Sequence, residues 1–157
     1  MKGYSPHEHR PLLGYAALTA AFNGLAAAYV VQHRRSGRRW PQRFPAGDLA
    51  LMAGATFKLS RLIAKDKVTS VLRSPFTRYK GEAGPSEVEE EARGTGLQLA
   101  IGELLVCPYC VGQWVAAAFV GGYARDPDAT RAAAAVFALL GASDFLQQAW
   151  NAVDEAV

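Results

Sequence analysis

The chain alternates long apolar stretches with short blocks of charge. Residues 11–32 contain no Asp, Glu, Lys, Arg or His. Glu103 is the only charged residue in 97–124, and Asp144 is the only one in 132–153. An α-helix needs ~20 predominantly apolar residues to cross the hydrocarbon core of a bilayer, and each stretch reaches that length. The pattern therefore predicts three membrane helices.

A fourth apolar stretch, residues 44–64, is interrupted by charge. Asp48, Lys58 and Arg61 lie within it, and one charge at the bilayer centre costs at least ~2.5 kcal/mol on insertion scales. Asp48 can cap a helix here, and Lys58, Arg61 and Lys65 then share one helical face. The segment is either a short or tilted membrane helix or a partly interfacial one.

These patterns predict an all-α fold, a small multi-pass transmembrane bundle of three to four helices. We divide the chain into residues 1–45, an N-terminal transmembrane helix with a basic loop, and residues 46–153, a helical membrane domain. The second helix should end before Pro75. Residues 77–96 are predicted to form a polar loop with a short helix begun by Ser86. We see no useful period-two alternation, so no β-structure is predicted.

Composition alone leaves a soluble, Ala-rich bundle as the alternative, because the mean hydropathy is +0.01. The segregation of charge favours the membrane. The net charge is +3, but the basic residues flank apolar segments, which is typical of membrane proteins rather than of nucleic-acid-binding surfaces. If all four segments span, Lys and Arg number eight on the N-terminal side and seven on the other, so the positive-inside rule does not choose an orientation. If the second segment is interfacial, the N-terminus should lie outside.

One motif, Cys107-Pro108-Tyr109-Cys110, combines residues with chemical potential. In a continuous helix Glu103, Cys107, Cys110 and Trp114 fall within about 60° of one another. Pro108 should kink that helix. Cys-x-x-Cys pairs act as dithiol redox centres when a helix N-terminus or a cation stabilises a thiolate, although a nearby carboxylate such as Glu103 opposes this.

Metal binding and simple packing are the alternatives for the cysteine pair. A tetrahedral zinc site usually has four ligands, and the chain contains only two cysteines. The missing ligands would have to come from His7 and His9 or from a second protomer. The plainer interpretation is that two buried thiols pack a helix seam. No cofactor is predicted, with zinc as the alternative.

Four charged residues lie within apolar segments and form the second candidate site: Lys58, Arg61, Glu103 and Asp144. Ionisable groups within a membrane usually face the bundle interior, a partner charge or water. We therefore predict an interior polar cluster in which Lys58 or Arg61 meets Glu103 or Asp144. Such a cluster serves either ion passage or helix packing. No phosphate loop, nucleotide fingerprint, zincin motif or nucleophile elbow is present, so no common enzyme class is indicated.

Two groups of residues resemble one protein family. The first is Phe57-Lys58-Leu59-Ser60-Arg61-Leu62-Ile63 followed by Asp66 and then Arg73-Ser74-Pro75-Phe76. The second is Gly102-Glu103-Leu104-Leu105 leading into Cys107-Pro108-Tyr109-Cys110 and Gly112-Gln113-Trp114. This arrangement resembles the bacterial membrane proteins grouped as domain of unknown function 1360 (DUF1360). The resemblance implies a multi-pass bacterial membrane protein, favours four embedded helices, and makes the first helix and basic loop look like an N-terminal addition.

The functional prediction is a non-enzymatic accessory or scaffold protein of the bacterial cytoplasmic membrane. Its predicted partners are the lipid bilayer and either a second copy or another membrane protein, with no nucleic acid. The alternative is a membrane dithiol redox or metal-binding protein that uses Cys107 and Cys110. Replacing both cysteines by Ser should spare the first kind of protein and abolish the second.

Overall fold

The computed structural model describes Tyr4 and residues 10–155. In this part of the chain the elements follow in the order α1 (Leu12–Arg35), α2 (Ala46–Lys65), α3 (Ser70–Arg73), β1 (Thr77–Gly84), β2 (Glu87–Ala92), α4 (Gly96–Leu105), α5 (Pro108–Arg125) and α6 (Pro127–Asp154). The fold is mainly helical, as the sequence predicts.

Helix α2 is the central element, packed between α5 and α6. The buried core consists of Met52, Ala55, Val111, Val115, Phe119, Tyr123 and Ala134. Asp48 at the start of α2 contacts Arg131 at the start of α6, and Lys58 further along contacts Asp144, so α2 and α6 run in the same direction. Helix α5 runs the opposite way, because Asp48 also contacts Tyr123 near its end.

Helix α1 lies along the outside of α4 and α5. The ring centroids of Phe22 and Trp114 are 5.1 Å apart, and the Tyr29 hydroxyl donates to the carbonyl oxygen of Gly121 over 2.5 Å. At the other end Gly14 lies so close to α4 that an added Cβ would come within 2.6 Å of the Cβ of Ala100. Most of the remaining surface of α1 is exposed.

Two helices, Leu12–Arg35 and Pro127–Asp154, are long and apolar enough to cross a membrane. Only 6% and 11% of their most apolar windows are buried within the protein. Helices α4 and α5 meet the same standard only when taken together. The described part of the chain therefore holds two candidate spans, or three if the bent pair counts as one.

The predicted third helix is two helices, inclined to each other by 80°. The break falls at Cys107, which is extended with φ −106° and ψ 103°, and Pro108 is the first residue of α5. Proline disfavours the α conformation in the residue before it and cannot donate a backbone hydrogen bond. The sequence predicts the position of the distortion, but the prediction of one continuous helix is wrong.

The all-α prediction misses a β-hairpin. Residues 77–92 form two antiparallel strands, not a polar loop. The turn includes Ser86 with φ 63°, a left-handed conformation, so Ser86 does not begin a helix as predicted. Arg78 and Lys80 of β1 pair with Glu91 of β2. Charged side chains occupy both strands, so the alternation that marks a half-buried strand is hidden in the sequence.

Candidate functional site

A cavity between α1, α4 and α5 contains both cysteines. We call it the thiol cavity; its volume is about 610 Å³. Helix α1 supplies one wall, and the break between α4 and α5 supplies the other. Its lining includes Arg10, Tyr15, Phe22, Glu103, Cys107, Cys110, Gln113 and Trp114. The four residues predicted to share one helical face therefore meet at one cavity, although a broken helix brings them there.

The two thiols lie at the start of α5. Cys107 is the N-cap residue, and its Sγ accepts a hydrogen bond from the backbone N–H of Cys110 over 3.3 Å. The two sulfur atoms are 2.6 Å apart. Cys107 is half-buried and Cys110 is exposed. The Sγ atom of Cys107 therefore lies at the N-terminus of α5.

Glu103 forms the acidic part of the cavity wall and is held by α1. The Tyr15 hydroxyl donates a hydrogen bond to Glu103 Oε2, and Arg10 Nη1 lies 3.9 Å from the other carboxylate oxygen. The Glu103 carboxylate is therefore held by one hydroxyl donor and one nearby guanidinium, both at the α1 end of the cavity.

The described residues contain no group of three or more His, Cys, Asp or Glu side chains arranged to hold a metal ion. His7 and His9, the predicted additional ligands, lie outside the described residues. Of the described Cys, His, Asp and Glu residues, only Cys107, Cys110 and Glu103 line the thiol cavity. The zinc alternative stays a prediction.

The four charged residues of the second candidate site are distributed over three ion pairs. Lys58 Nζ donates to Asp144 Oδ2 over 2.5 Å and joins α2 to α6. Arg61 instead binds Glu87 of the hairpin with two nitrogens, at 2.6–3.0 Å. Glu103 is occupied by Tyr15 and Arg10. The structure thus brings Lys58 and Asp144 together but keeps Arg61 and Glu103 apart from them.

A further polar group, formed by Asp48, Tyr123 and Arg131, joins the other end of the bundle. Arg131 of α6 donates to both carboxylate oxygens of Asp48, at 2.7 and 2.9 Å. The Tyr123 hydroxyl donates to Asp48 over 2.5 Å. Asp48 is predicted as a helix cap, but its side chain links α2 to α5 and α6 instead. Nothing in the sequence marks Arg131 as its partner.

The residues around Arg73, in the first family-like motif, form a buried network of hydrogen bonds. The Arg73 side chain is fully buried and donates to Glu90 of β2 over 2.7 Å and to the carbonyl oxygens of Ile63 and Asp66. Thr77 donates a further hydrogen bond to Glu90 over 3.0 Å. The sequence does not single out Glu90, because its role depends on the β-hairpin, which the residue pattern does not predict.

Neighbouring residues of the same motif make further hydrogen bonds in this region. Asp66 accepts a hydrogen bond from the backbone N–H of Val68. The carbonyl oxygen of Pro75 accepts from Gln98 over 3.0 Å, and that of Phe76 accepts from the backbone N–H of Arg93 over 2.9 Å. These residues fix α2, the hairpin and α4 to one another, which is a structural role.

The charge of Glu90 is stabilised despite its burial. Burial works to raise the pKa of Glu90, but the guanidinium of Arg73 and the hydroxyl of Thr77 outweigh it and hold the pKa below its usual value. On the exposed surface of the hairpin, Lys67 Nζ and Glu82 Oε1 lie 2.7 Å apart. Their hydrogen bond raises the pKa of Lys67 and lowers that of Glu82.

Comparison with known proteins places the chain in a family. A curated relative, "Sporulation protein YjcA" of Bacillus subtilis (strain 168), is 32% identical over 102 residues, which is 63% of this chain and 86% of the relative. No solved structure is significantly similar. The model of the family described as "Protein of unknown function (DUF1360)" matches residues 51–150, and the chain belongs to that family.

Proposed function

We propose that the protein is a four-pass membrane protein of the bacterial cytoplasmic membrane with a non-enzymatic, accessory or scaffold role. The observation that carries this proposal is the pairing of the charges on α2. Asp48 is bound by Arg131, and Lys58 is bound by Asp144. An intramembrane charge is tolerated when it faces the bundle and has a partner.

The remaining charges of α2 lie towards its end. Arg61 and Lys65 pair with Glu87 and Glu89 of the hairpin, which leaves the apolar part of α2 between α5 and α6. Such an arrangement supports α2 as an internal span with its polar end beside the hairpin. The interruption of residues 44–64 by charge is then no obstacle to insertion.

The outer surfaces of the flanking helices support contact with lipid. Large apolar side chains are exposed on α1 and α6, among them Leu13, Leu25, Leu139, Leu146 and Trp150. Soluble monomers rarely expose continuous apolar surface of this kind. A bilayer covers both helices without any further protein partner.

The scaffold role is supported by the contacts that the charged side chains make between elements. The Arg73–Glu90, Arg61–Glu87 and Lys58–Asp144 pairs each join two different elements. The first two pairs hold the hairpin to the helices, and the third joins α2 to α6. The hairpin then presents a rigid polar surface at one end of the bundle, suited to contact with another protein.

Single-cysteine reporters test the four-pass arrangement. In a Cys107→Ser/Cys110→Ser background, Ser36→Cys reports on the α1–α2 connection, Ser86→Cys on the hairpin turn and Ala129→Cys on the start of α6. We expect a membrane-impermeant maleimide to label Ser36→Cys and Ala129→Cys from one side and Ser86→Cys from the other. Labelling of Ser36→Cys and Ser86→Cys from the same side would show that α2 does not span.

A second candidate function is thiol–disulfide exchange at the thiol cavity. The geometry of Cys107 and Cys110 favours it: a helix N-cap sulfur lies 2.6 Å from an exposed second sulfur. The Cys107 thiolate would attack a disulfide of a protein or small-molecule partner and release one partner thiolate. Cys110, after losing its proton, would attack the Cys107 sulfur and release the second thiolate. The pair becomes a disulfide and the partner is reduced.

Trapping separates this candidate from the scaffold role. If exchange occurs, Cys110→Ser should accumulate a mixed disulfide between Cys107 and its partner, whereas Cys107→Ser should not. Non-reducing gels of membranes quenched in acid detect the adduct. If neither variant forms an adduct, and the double Ser variant keeps the in-cell crosslinking pattern of the wild type, the scaffold role stands alone.

A further inference from the structure

The end of the bundle opposite the hairpin carries an unusual concentration of positive charge. Residues 33–45, which we call the basic segment, contain five arginines and no acidic residue. All five are exposed: Arg34, Arg35, Arg38, Arg39 and Arg43. The segment connects the end of α1 to the start of α2, so it lies where two apolar helices meet the bundle surface.

The arginines at this end differ from the basic residues at the hairpin end in their pairing. The side chains of four of these arginines make no hydrogen bond or ion pair with any other described residue: Arg34, Arg35, Arg39 and Arg43. At the hairpin end the basic residues Arg61, Lys65, Lys67, Arg73, Arg78 and Lys80 each pair with a glutamate. The two ends therefore carry similar numbers of Lys and Arg residues, but at the basic segment most of the positive charges have no acidic partner.

The backbone of the basic segment is held in place beneath these side chains. Trp40 packs on His33 and Tyr29, with ring centroids 4.6 and 6.0 Å away. Arg38 Nη1 donates to the carbonyl oxygen of Arg125 over 3.0 Å, which ties the segment to the end of α5. Trp40 keeps 38% of its surface exposed. A half-exposed Trp beside unpaired cations is typical of the headgroup region of a bilayer.

We infer that the basic segment binds the phosphate groups of anionic phospholipids. This inference rests on the proposed membrane insertion, which places residues 33–45 at headgroup depth. Guanidinium groups bind phosphate oxygens in bidentate geometry, and each basic residue near an anionic surface adds to the attraction. Four unpaired arginines on an anchored segment form a headgroup site with a preference for negative lipids.

Lipid titration of the purified full-length protein tests this site. In non-ionic detergent, native mass spectrometry compares phosphatidylglycerol with phosphatidylcholine of the same acyl chains. We expect the wild type to favour phosphatidylglycerol at least tenfold, and Arg34→Gln/Arg35→Gln/Arg39→Gln/Arg43→Gln to lose that preference. The matched control, Lys67→Gln/Arg78→Gln/Lys80→Gln/Arg93→Gln, removes four charges at the hairpin end and should keep it.

A charge-retaining variant distinguishes loss of the lipid site from misfolding of the protein. The same four arginines replaced by Lys should keep most of the preference, because charge is retained while bidentate geometry is lost. The inference is overturned if the wild type shows no preference, if both Gln variants lose it equally, or if inorganic phosphate or a DNA oligonucleotide binds more tightly than phosphatidylglycerol. Cysteine reporters for the four-pass arrangement give a separate readout, so either proposal can fail alone.

Discussion

Gly102 sits where α4 touches the base of the hairpin. A Cβ built on it would lie 2.5 Å from the carbonyl oxygen of Phe76 and 2.9 Å from the Cβ of Ala92. Backbone cannot move aside as a flexible side chain can. Glycine is therefore required here for close approach, which accounts for its place in the second family-like motif.

Gly102→Ala should destabilise the protein by about 1–3 kcal/mol through overpacking. Thermal unfolding of the purified protein in detergent measures the effect. Gly24→Ala is the matched control, because Gly24 is also helical but an added Cβ meets nothing within 4 Å. That variant should be unchanged or more stable by up to about 1 kcal/mol. Equal losses in both variants would contradict the close approach at Gly102.

Glu90 makes the stability of the hairpin region depend on pH. Its pKa is lower in the folded than in the unfolded protein, so its charged form stabilises the fold. The contribution is fully present above the unfolded pKa of about 4.3 and is lost as the pH falls through the folded value. We expect the free energy of unfolding of the wild type to decline as the pH falls from about 5.5 to about 3.

Glu90→Gln should be less stable at neutral pH and should lose less stability over that acidic range. Denaturant titrations of both proteins at several pH values give the comparison. Glu82→Gln is the control, because its pair with Lys67 is exposed and such pairs contribute little. If the free energies of unfolding of the wild type and Glu90→Gln change in parallel with pH, the buried Arg73–Glu90 pair is not the source of the pH dependence.

At the scale of elements, the ion pair between Lys58 and Asp144 is one of the contacts that join α2 to α6. Lys58→Met leaves Asp144 without its partner and should cost about 1–3 kcal/mol. The double variant Lys58→Met/Asp144→Leu removes both charges and should recover most of that loss. A double-mutant cycle on unfolding in detergent gives the coupling energy. Additive losses in the double variant would indicate that the two side chains do not stabilise each other.

The elements also show what the sequence can predict. The long stretches with at most one charge predict α1 and α6, because length and apolar content decide whether a helix is compatible with a membrane. The hairpin was missed because its inward residues include Thr77 and Glu90, polar groups that become satisfied only after Arg73 is buried among them. Asp48 and its partner Arg131 are 83 residues apart in the chain. The local sequence pattern therefore does not show that the two side chains pair.

At the scale of the whole molecule, α1 lies outside the residues that match the family model. The family match begins at residue 51, so α1 and the basic segment precede it. Tyr15 and Phe22 of α1 nevertheless line the thiol cavity together with Cys107 and Cys110. The cavity therefore combines a wall from outside the family match with thiols from within it. Access to the cysteines should depend on this wall.

Phe22 is the side chain that tests this dependence, because it packs edge-to-face on Trp114. Phe22→Ala should raise the rate at which a small maleimide labels Cys110 several-fold in detergent-solubilised protein, since truncation opens the cavity beside the thiol. Leu25→Ala is the control: Leu25 is on the same helix but is 64% exposed and does not line the cavity. It should leave the labelling rate unchanged. An unchanged rate in Phe22→Ala, or an equal rise in Leu25→Ala, would mean that α1 does not control access to the thiols. Access would then be determined by the residues within the family match alone.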